Sequence, residues 1–306
     1  MILAQNDGRV SVGVIVAFVQ LMRNIIQLAI TMPELIARVK AANSLMRRHD
    51  ELLESSQPVG RDVPVSCKQE IALDHVTADY GGAEAVLKDF SYAFRAHGCY
   101  AILGESGSGK TTLLNLLTGF HRQYSGSIRY DGIVIRDASN ESLCQIMSVI
   151  DQDVFIFDAA IAENISMFHP CSDAALQDAA RKAGLSSLIE QKGWDYRCGE
   201  NGNQLSGGEK QRIALARSIL QGTDVLFFDE VTSALDAKTG HQVMETIQNM
   251  TEKTRIVITH DIYPDLMDSF DAVLVLKDGQ LAEAGTFTDL MAKQSVCYHL
   301  VNKSIS

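Results

Sequence analysis

Eight residues constrain this chain of 306 more tightly than anything else in it. Gly104-Glu105-Ser106-Gly107-Ser108-Gly109-Lys110-Thr111 matches the spacing GxxxxGK[ST] in full. An apolar run, Cys99–Leu103, precedes it and a helical pattern, Lys110–Leu117, follows. Strand, glycine loop and helix in that order make a phosphate cradle. Glycines let the chain curl until successive backbone N–H groups converge on an anion, and the helix N-terminus adds positive potential. Gly104, Glu105, Ser106, Gly107, Ser108, Gly109, Lys110, Thr111 and Thr112 are therefore the expected nucleotide contacts. Lys110 is placed to reach the terminal phosphates, and the Thr111 hydroxyl to ligate magnesium.

A second apolar run, Val225-Leu226-Phe227-Phe228, ends in Asp229-Glu230. Downstream of a phosphate loop, Asp229 suits the magnesium shell, and Glu230 suits orienting and deprotonating an attacking water. Arg255–Thr259 is another short apolar, β-branched run, as expected of a buried parallel strand. Glu70–Tyr80 and Ala85–Phe94 read as strands joined by Gly81-Gly82, while Val273–Lys277 and Gln280–Glu283 flank the hairpin signal Asp278-Gly279. Asp173–Ile189 and Lys210–Gln221 are helical in pattern.

Leu205-Ser206-Gly207-Gly208-Glu209-Lys210-Gln211-Arg212 opens the second of these helices. Ser206 and Glu209 have the spacing of a capping box, which leaves the paired glycines unexplained. Exposed backbone N–H groups at a helix start would explain them.

With these motifs in this order, Gln69 to Leu300 resembles the ABC ATPase family. The resemblance implies an α/β P-loop NTPase: a RecA-like core sheet, an antiparallel β subdomain and a helical signature subdomain. It also implies ATP and Mg²⁺ as cofactors. Ser206, Gly207 and Gly208 would meet the γ-phosphate of ATP held by a partner domain, with Asp236 of the D-loop Ser233-Ala234-Leu235-Asp236 beside them. Tyr80 would stack on adenine, Gln152 would sense magnesium and water, and His260 would contact the γ-phosphate. The implied catalytic set is Lys110, Gln152, Glu230 and His260, and the implied metal set is Thr111, Gln152 and Asp229.

The N-terminus has a different character. Val10 to Met32 is long enough to cross a bilayer at about 1.5 Å per residue, although Gln20, Arg23, Asn24 and Gln27 interrupt it. Arg23 alone would cost roughly 2.5–3.5 kcal/mol at the centre of a lone inserted helix, so a bundle suits it better. Arg38, Lys40, Arg47 and Arg48 follow, placing that end on the cytoplasmic side. The expected organisation is a partial transmembrane domain with one long helix (1–54), a linker (55–68) and the ATP-binding domain (69–306). Residues 8–54 resemble the last spanning helix of an ABC exporter half and its cytoplasmic extension. Cys198-Gly199-Glu200-Asn201-Gly202 resembles the exporter loop whose Glu contacts the membrane domain, with Tyr196 and Cys198 replacing the usual Thr and Val.

The expectation is an exporter subunit, shortened ahead of its ATPase, in a cell membrane with the ATPase domain on the cytoplasmic side. Its implied partners are a second ABC half (identical or different), membrane-domain helices and the lipid membrane. A soluble or importer-type ABC ATPase working with separately encoded partners is the alternative. The net charge of −11 argues against nucleic acid as a partner. Six scattered cysteines without a CxxC pair argue against a disulfide framework or a structural zinc.

Overall fold

Bulges, rather than simple alternation, organise the first sheet. In the computed structural model, which describes residues 13, 15–23, 25, 27, 63–79, 85–151, 153–233 and 235–305, strand β1 (Glu70–Ala78) buries Ile71 and Leu73, then Val76 and Ala78. The side-chain parity switches between these pairs, at a register shift that contains His75 with φ 48°. The extra residue returns the apolar side chains to the inner face. Strand β2 (Leu87–Arg95) makes the matching shift at Asp89, φ 52°, and His75 Nδ1 lies 2.6 Å from Asp89 Oδ1 across the two bulges. With β4 (Tyr124–Tyr130) and β5 (Ile133–Val134) they form an antiparallel sheet in the order β2-β1-β4-β5.

The second sheet has the order β10-β9-β3-β8-β7-β6. Its strands β3 (Cys99–Gly104), β6 (Met147–Ile150), β7 (Val225–Asp229), β8 (Thr254–Ile258) and β9 (Ala272–Lys277) run parallel. Only β10 (Gln280–Gly285) is antiparallel, joined to β9 by the expected hairpin with Asp278 and Gly279 at positive φ. Both faces of the sheet are covered, which is why the central strands read as unbroken apolar runs. Ala101, Leu103, Leu226, Phe228 and Val257 enter one core, whereas Ile102, Val225, Phe227, Ile256 and Ile258 enter the other. The latter core also holds the inward face of the antiparallel sheet and helix α2 (Lys110–Leu117).

Helices α3 (Asn140–Ile146), α4 (Ile161–Ser166), α5 (Asp173–Lys182), α6 (Ser186–Lys192) and α7 (Gly207–Gln221) follow in chain order. Then come α8 (Ala237–Gln248), α9 (Pro264–Met267), α10 (Phe287–Ala292) and α11 (Val296–Ile305). The single helix expected over Asp173–Ile189 is two helices, because Gly184 takes φ 71° and turns the chain between α5 and α6. The β1 strand stops at Ala78, and the predicted glycine turn lies outside the described residues.

The molecule divides into two units, residues 1–57 and 58–306. In the first, residues 15–23 form helix α1, with Ile15, Val16, Phe18, Val19, Leu21 and Met22 exposed. Among the described residues no helix is long and apolar enough to cross a membrane. Nearly half of the expected spanning segment 10–32, and all of the basic cluster after it, lie outside them.

Candidate nucleotide-binding site

β3 delivers the chain into the phosphate loop at the carboxyl edge of the parallel sheet. Gly107 (φ 80°) and Gly109 (φ 103°) give the curl that an L side chain resists. Gly109 is the N-cap of α2, which has no side-chain cap and no acid in its first turn. Its first N–H groups are thus left for an anion. Lys110 is buried and folds back over its own loop, donating from Nζ to the carbonyls of Gly104 (2.8 Å) and Glu105 (3.0 Å). Burial pushes its pKa down, opposed by the nearby Glu230 and Asp229 carboxylates. Ser108 Oγ is buried without a protein partner, and Gly279 N of the β9–β10 hairpin donates to Ser108 O at 3.2 Å. A desolvated cation, an orphaned hydroxyl and an uncapped helix start fit a phosphate group. Thr111 is exposed next to Lys110, and Thr112 is buried behind it.

The acidic side of the site rises from β7. Asp229 ends the strand, and burial pushes its carboxyl above the usual range, reinforced by Glu230 and Asp151 and offset by Lys110 and His260. A carboxylate so placed gains from a divalent cation. Among the described residues no group of three or more His, Cys, Asp or Glu side chains forms a metal cage. A few protein ligands completed by phosphate oxygens is the usual magnesium arrangement, so the donor set fits that ion.

Glu230 sits at φ 50°, with its N–H bonded to Ile258 O (2.9 Å) and its carbonyl accepting from Ser233 Oγ (2.8 Å). Its Oε1 lies 2.6 Å from His260 Nε2. Lys110, Asp229, Glu230 and His260 thus share one electrostatic cluster at the carboxyl ends of parallel strands, the usual ligand edge of such sheets. Tyr80 and Gln152 lie outside the described residues.

The signature lies apart from this cluster. Ser206 caps α7: its Oγ accepts from Glu209 N (3.3 Å), while Glu209 Oε2 accepts from Ser206 N (2.8 Å). The helix begins at Gly207 rather than Lys210, so the paired glycines form its first turn. Ser206 and Gly207 are exposed; Gly208 is buried, and a Cβ there would collide with Thr239 of α8. Asp236 caps α8 by accepting from Thr239 N (3.0 Å), a bond that holds its carboxyl low. The phosphate loop lines a cavity of about 280 Å³ with β9 and α11, whereas Gly207, Lys210 and Leu235 line a different cleft of about 520 Å³ with Asp153. Each chain therefore carries a phosphate loop and a signature that face different spaces.

Two groups escape sequence reading. Asp151, beside Gln152, is close enough to Asp229 to raise its pKa. Arg217 of α7 donates to Asn164 O (2.7 Å), Phe155 O (2.7 Å) and Asn164 Oδ1 (2.8 Å), and Asn164 Oδ1 also accepts from Phe157 N (2.9 Å). This ties the segment after Gln152 to the signature helix. Its one sequence signal is an arginine inside the run Ile213-Ala214-Leu215-Ala216-Arg217. Glu200 is exposed at the start of a short turn, next to the glycine that follows buried Cys198.

A phosphate loop and an acid–histidine pair on a doubly covered parallel sheet, with a signature helix capped by serine and opened by two glycines, define the ATPase domain of an ABC transporter. Residues 87–233 match the ABC transporter family and belong to it. The chain is 33% identical to a β-(1→2)glucan export ATP-binding/permease protein of Agrobacterium vitis, over 94% of this chain and 50% of the relative. It is 34% identical to an ATP-dependent lipid A-core flippase of Acinetobacter baylyi, over 86% of this chain and 46% of the relative. A bacterial Atm1-family ABC exporter with ATP bound superposes with a TM-score of 0.75 at 30% identity, covering 85% of this chain and 47% of that one. The chain thus spans about half the length of the relatives it matches.

Proposed function

We propose that this chain is the ATP-binding and ATP-hydrolysing part of an ABC exporter. In this reading it works with a second ABC half and with membrane-domain helices, its ATPase domain on the cytoplasmic side of a cell membrane. The observation that carries the proposal is the 2.6 Å contact between His260 and Glu230, in one cluster with Lys110 and Asp229. Likeness to the Agrobacterium relative extends over 94% of the chain, more than residues 58–306 alone supply. It thus reaches into the N-terminal unit, which favours an exporter over a separately encoded importer ATPase.

The residues divide the work by position. The uncapped turn of α2 and Lys110 grip the triphosphate and spread its charge. Thr111, Asp229 and Gln152 would hold Mg²⁺, which supplies charge neutralisation between phosphate oxygens when bound. Glu230 orients a water and takes its proton, and His260 holds the Glu230 carboxylate in that pose while facing the γ-phosphate. Tyr80 stacks on adenine. Ser206, Gly207, Gly208 and Asp236 of the second half complete the site, so that ATP joins two domains and its hydrolysis releases them.

Glu230→Gln keeps the shape and removes the base. Full chain carrying it should bind ATP with magnesium, lose turnover by about 10²–10⁴-fold and elute as an ATP-dependent dimer on size exclusion. A monomer under saturating ATP contradicts the shared site.

A further inference from the structure

The fifth residue of the signature is an acid, and this sets an electrostatic problem. Glu209 lies in the first turn of α7, bonded through Oε2 to Ser206 N at 2.8 Å. A carboxylate there stabilises the helix, but it competes with any anion approaching the same N–H groups. The shared site of the proposed function needs an anionic phosphate to approach exactly that turn.

Lys192 meets the problem. It is the last residue of α6, and its Nζ stands 3.8 Å from Glu209 Oε2, with the side chains only 26% and 20% exposed. The same ammonium donates to Gln204 O at 3.2 Å, just ahead of Leu205 and Ser206, and lies 4.7 Å from the centre of the Tyr196 ring. Three partners therefore fix one cation between the loop that leads into the signature and the acid inside it. Partial burial of both side chains keeps solvent and salt from screening the pair as they would on an open surface.

We infer that Lys192 is a positioning residue for the shared nucleotide site: it offsets the Glu209 charge and anchors Gln204, so that Ser206–Gly208 present a net positive face to the partner's ATP. The inference rests on the shared-site reading and adds a second requirement to it. A signature with an acid in its first turn needs a cation held against that acid, and the need disappears when the acid is neutral.

The test uses the full chain. Lys192→Met and Lys192→Gln, the latter keeping a donor for Gln204, should raise the KM for ATP in turnover and weaken ATP-driven dimerisation by about tenfold. ATP affinity of the dilute, monomeric protein should stay unchanged, because the phosphate loop is untouched. Adding Glu209→Gln to Lys192→Gln, which keeps a donor for Gln204, should restore dimerisation. If the loss persists in the double variant, or extends to monomer affinity, Lys192 serves the fold alone and the inference is overturned. If the Lys192 variants behave as wild type while Ser206→Arg abolishes dimerisation, the inference fails and the shared site stands. If Ser206→Arg has no effect either, the shared site itself is wrong.

Discussion

Glu230 occupies a left-handed backbone conformation, φ 50°, at the step from β7 into the loop. A non-glycine residue held there costs of order 1–3 kcal/mol, and such strain persists only where surrounding bonds enforce it. Here the bond from Glu230 N to Ile258 O and the bond to its carbonyl from Ser233 Oγ do so, and the reward is a carboxylate aimed at His260. His260→Ala should therefore lower turnover by about 10²-fold while sparing ATP affinity, read as a fall in kcat at nearly constant KM. Asp229 carries a different cost. Burial and two neighbouring acids raise its pKa above the 3.8 of a free aspartate. The folded state then binds that proton more tightly than the unfolded chain, so stability falls as pH rises through 3.8 and on to the folded value. Above that range the deficit is constant. Asp229→Asn should raise the melting temperature of the nucleotide-free chain at neutral pH, and the gain should shrink as pH falls through the raised folded value and be gone below 3.8. Magnesium-dependent turnover should be lost in the same variant. A melting temperature that falls at neutral pH would show that the Asp229 charge is stabilised, not strained.

At the scale of elements, what was legible in the sequence follows from contiguity. The phosphate loop, the acids after β7 and the capping box of α7 each lie within about eight successive residues, and their local chemistry is complete in that window. The pairing of the bulges at His75 and Asp89 is not, because each shift makes sense only against the other strand. The break at Gly184 was missed because a glycine inside a helical pattern is tolerable until its φ turns positive. The Arg217–Asn164 link is invisible for a third reason: its partners are backbone carbonyls and an amide 53 residues away, with no sequence pattern. Yet it fastens α4 and the segment after Gln152 to the signature helix through charge-assisted bonds. Burial depresses the Arg217 pKa, so the guanidinium stays there at a desolvation cost that these acceptors offset. Arg217→Met keeps the apolar stem and takes the donor away from Asn164 O, Phe155 O and Asn164 Oδ1, the last of which keeps its bond from Phe157 N. It should destabilise the domain by about 3 kcal/mol, seen as a lower denaturant midpoint at unchanged m-value. A shift within error of zero would mean that water replaces the guanidinium without loss.

Across the whole molecule, residues 105–108 of the phosphate loop and Gly207 of the signature line different cavities of one chain. If, as proposed, ATP is held between the phosphate loop of one chain and the signature of an identical partner, symmetry makes the consequence quantitative. Chains carrying Lys110→Ala keep a signature but no phosphate grip; chains carrying Ser206→Arg keep the grip but block the signature. Each alone has only defective sites. Mixed in equal amounts, about half of the dimers pair one of each, and in those one of the two sites joins an intact loop to an intact signature. If the sites act independently, turnover in the mixture should climb from near zero to about a quarter of the wild-type rate. In the Glu230→Gln background the mixture should trap about one ATP per mixed dimer, a readout that does not require the two sites to fire together. A site contained in one chain predicts a different result: the Ser206→Arg chain would retain its own activity, and mixing would change nothing beyond dilution. Equal and complete silence of trapping in both variants and in their mixture would remove the two-chain site, because binding needs no communication between halves.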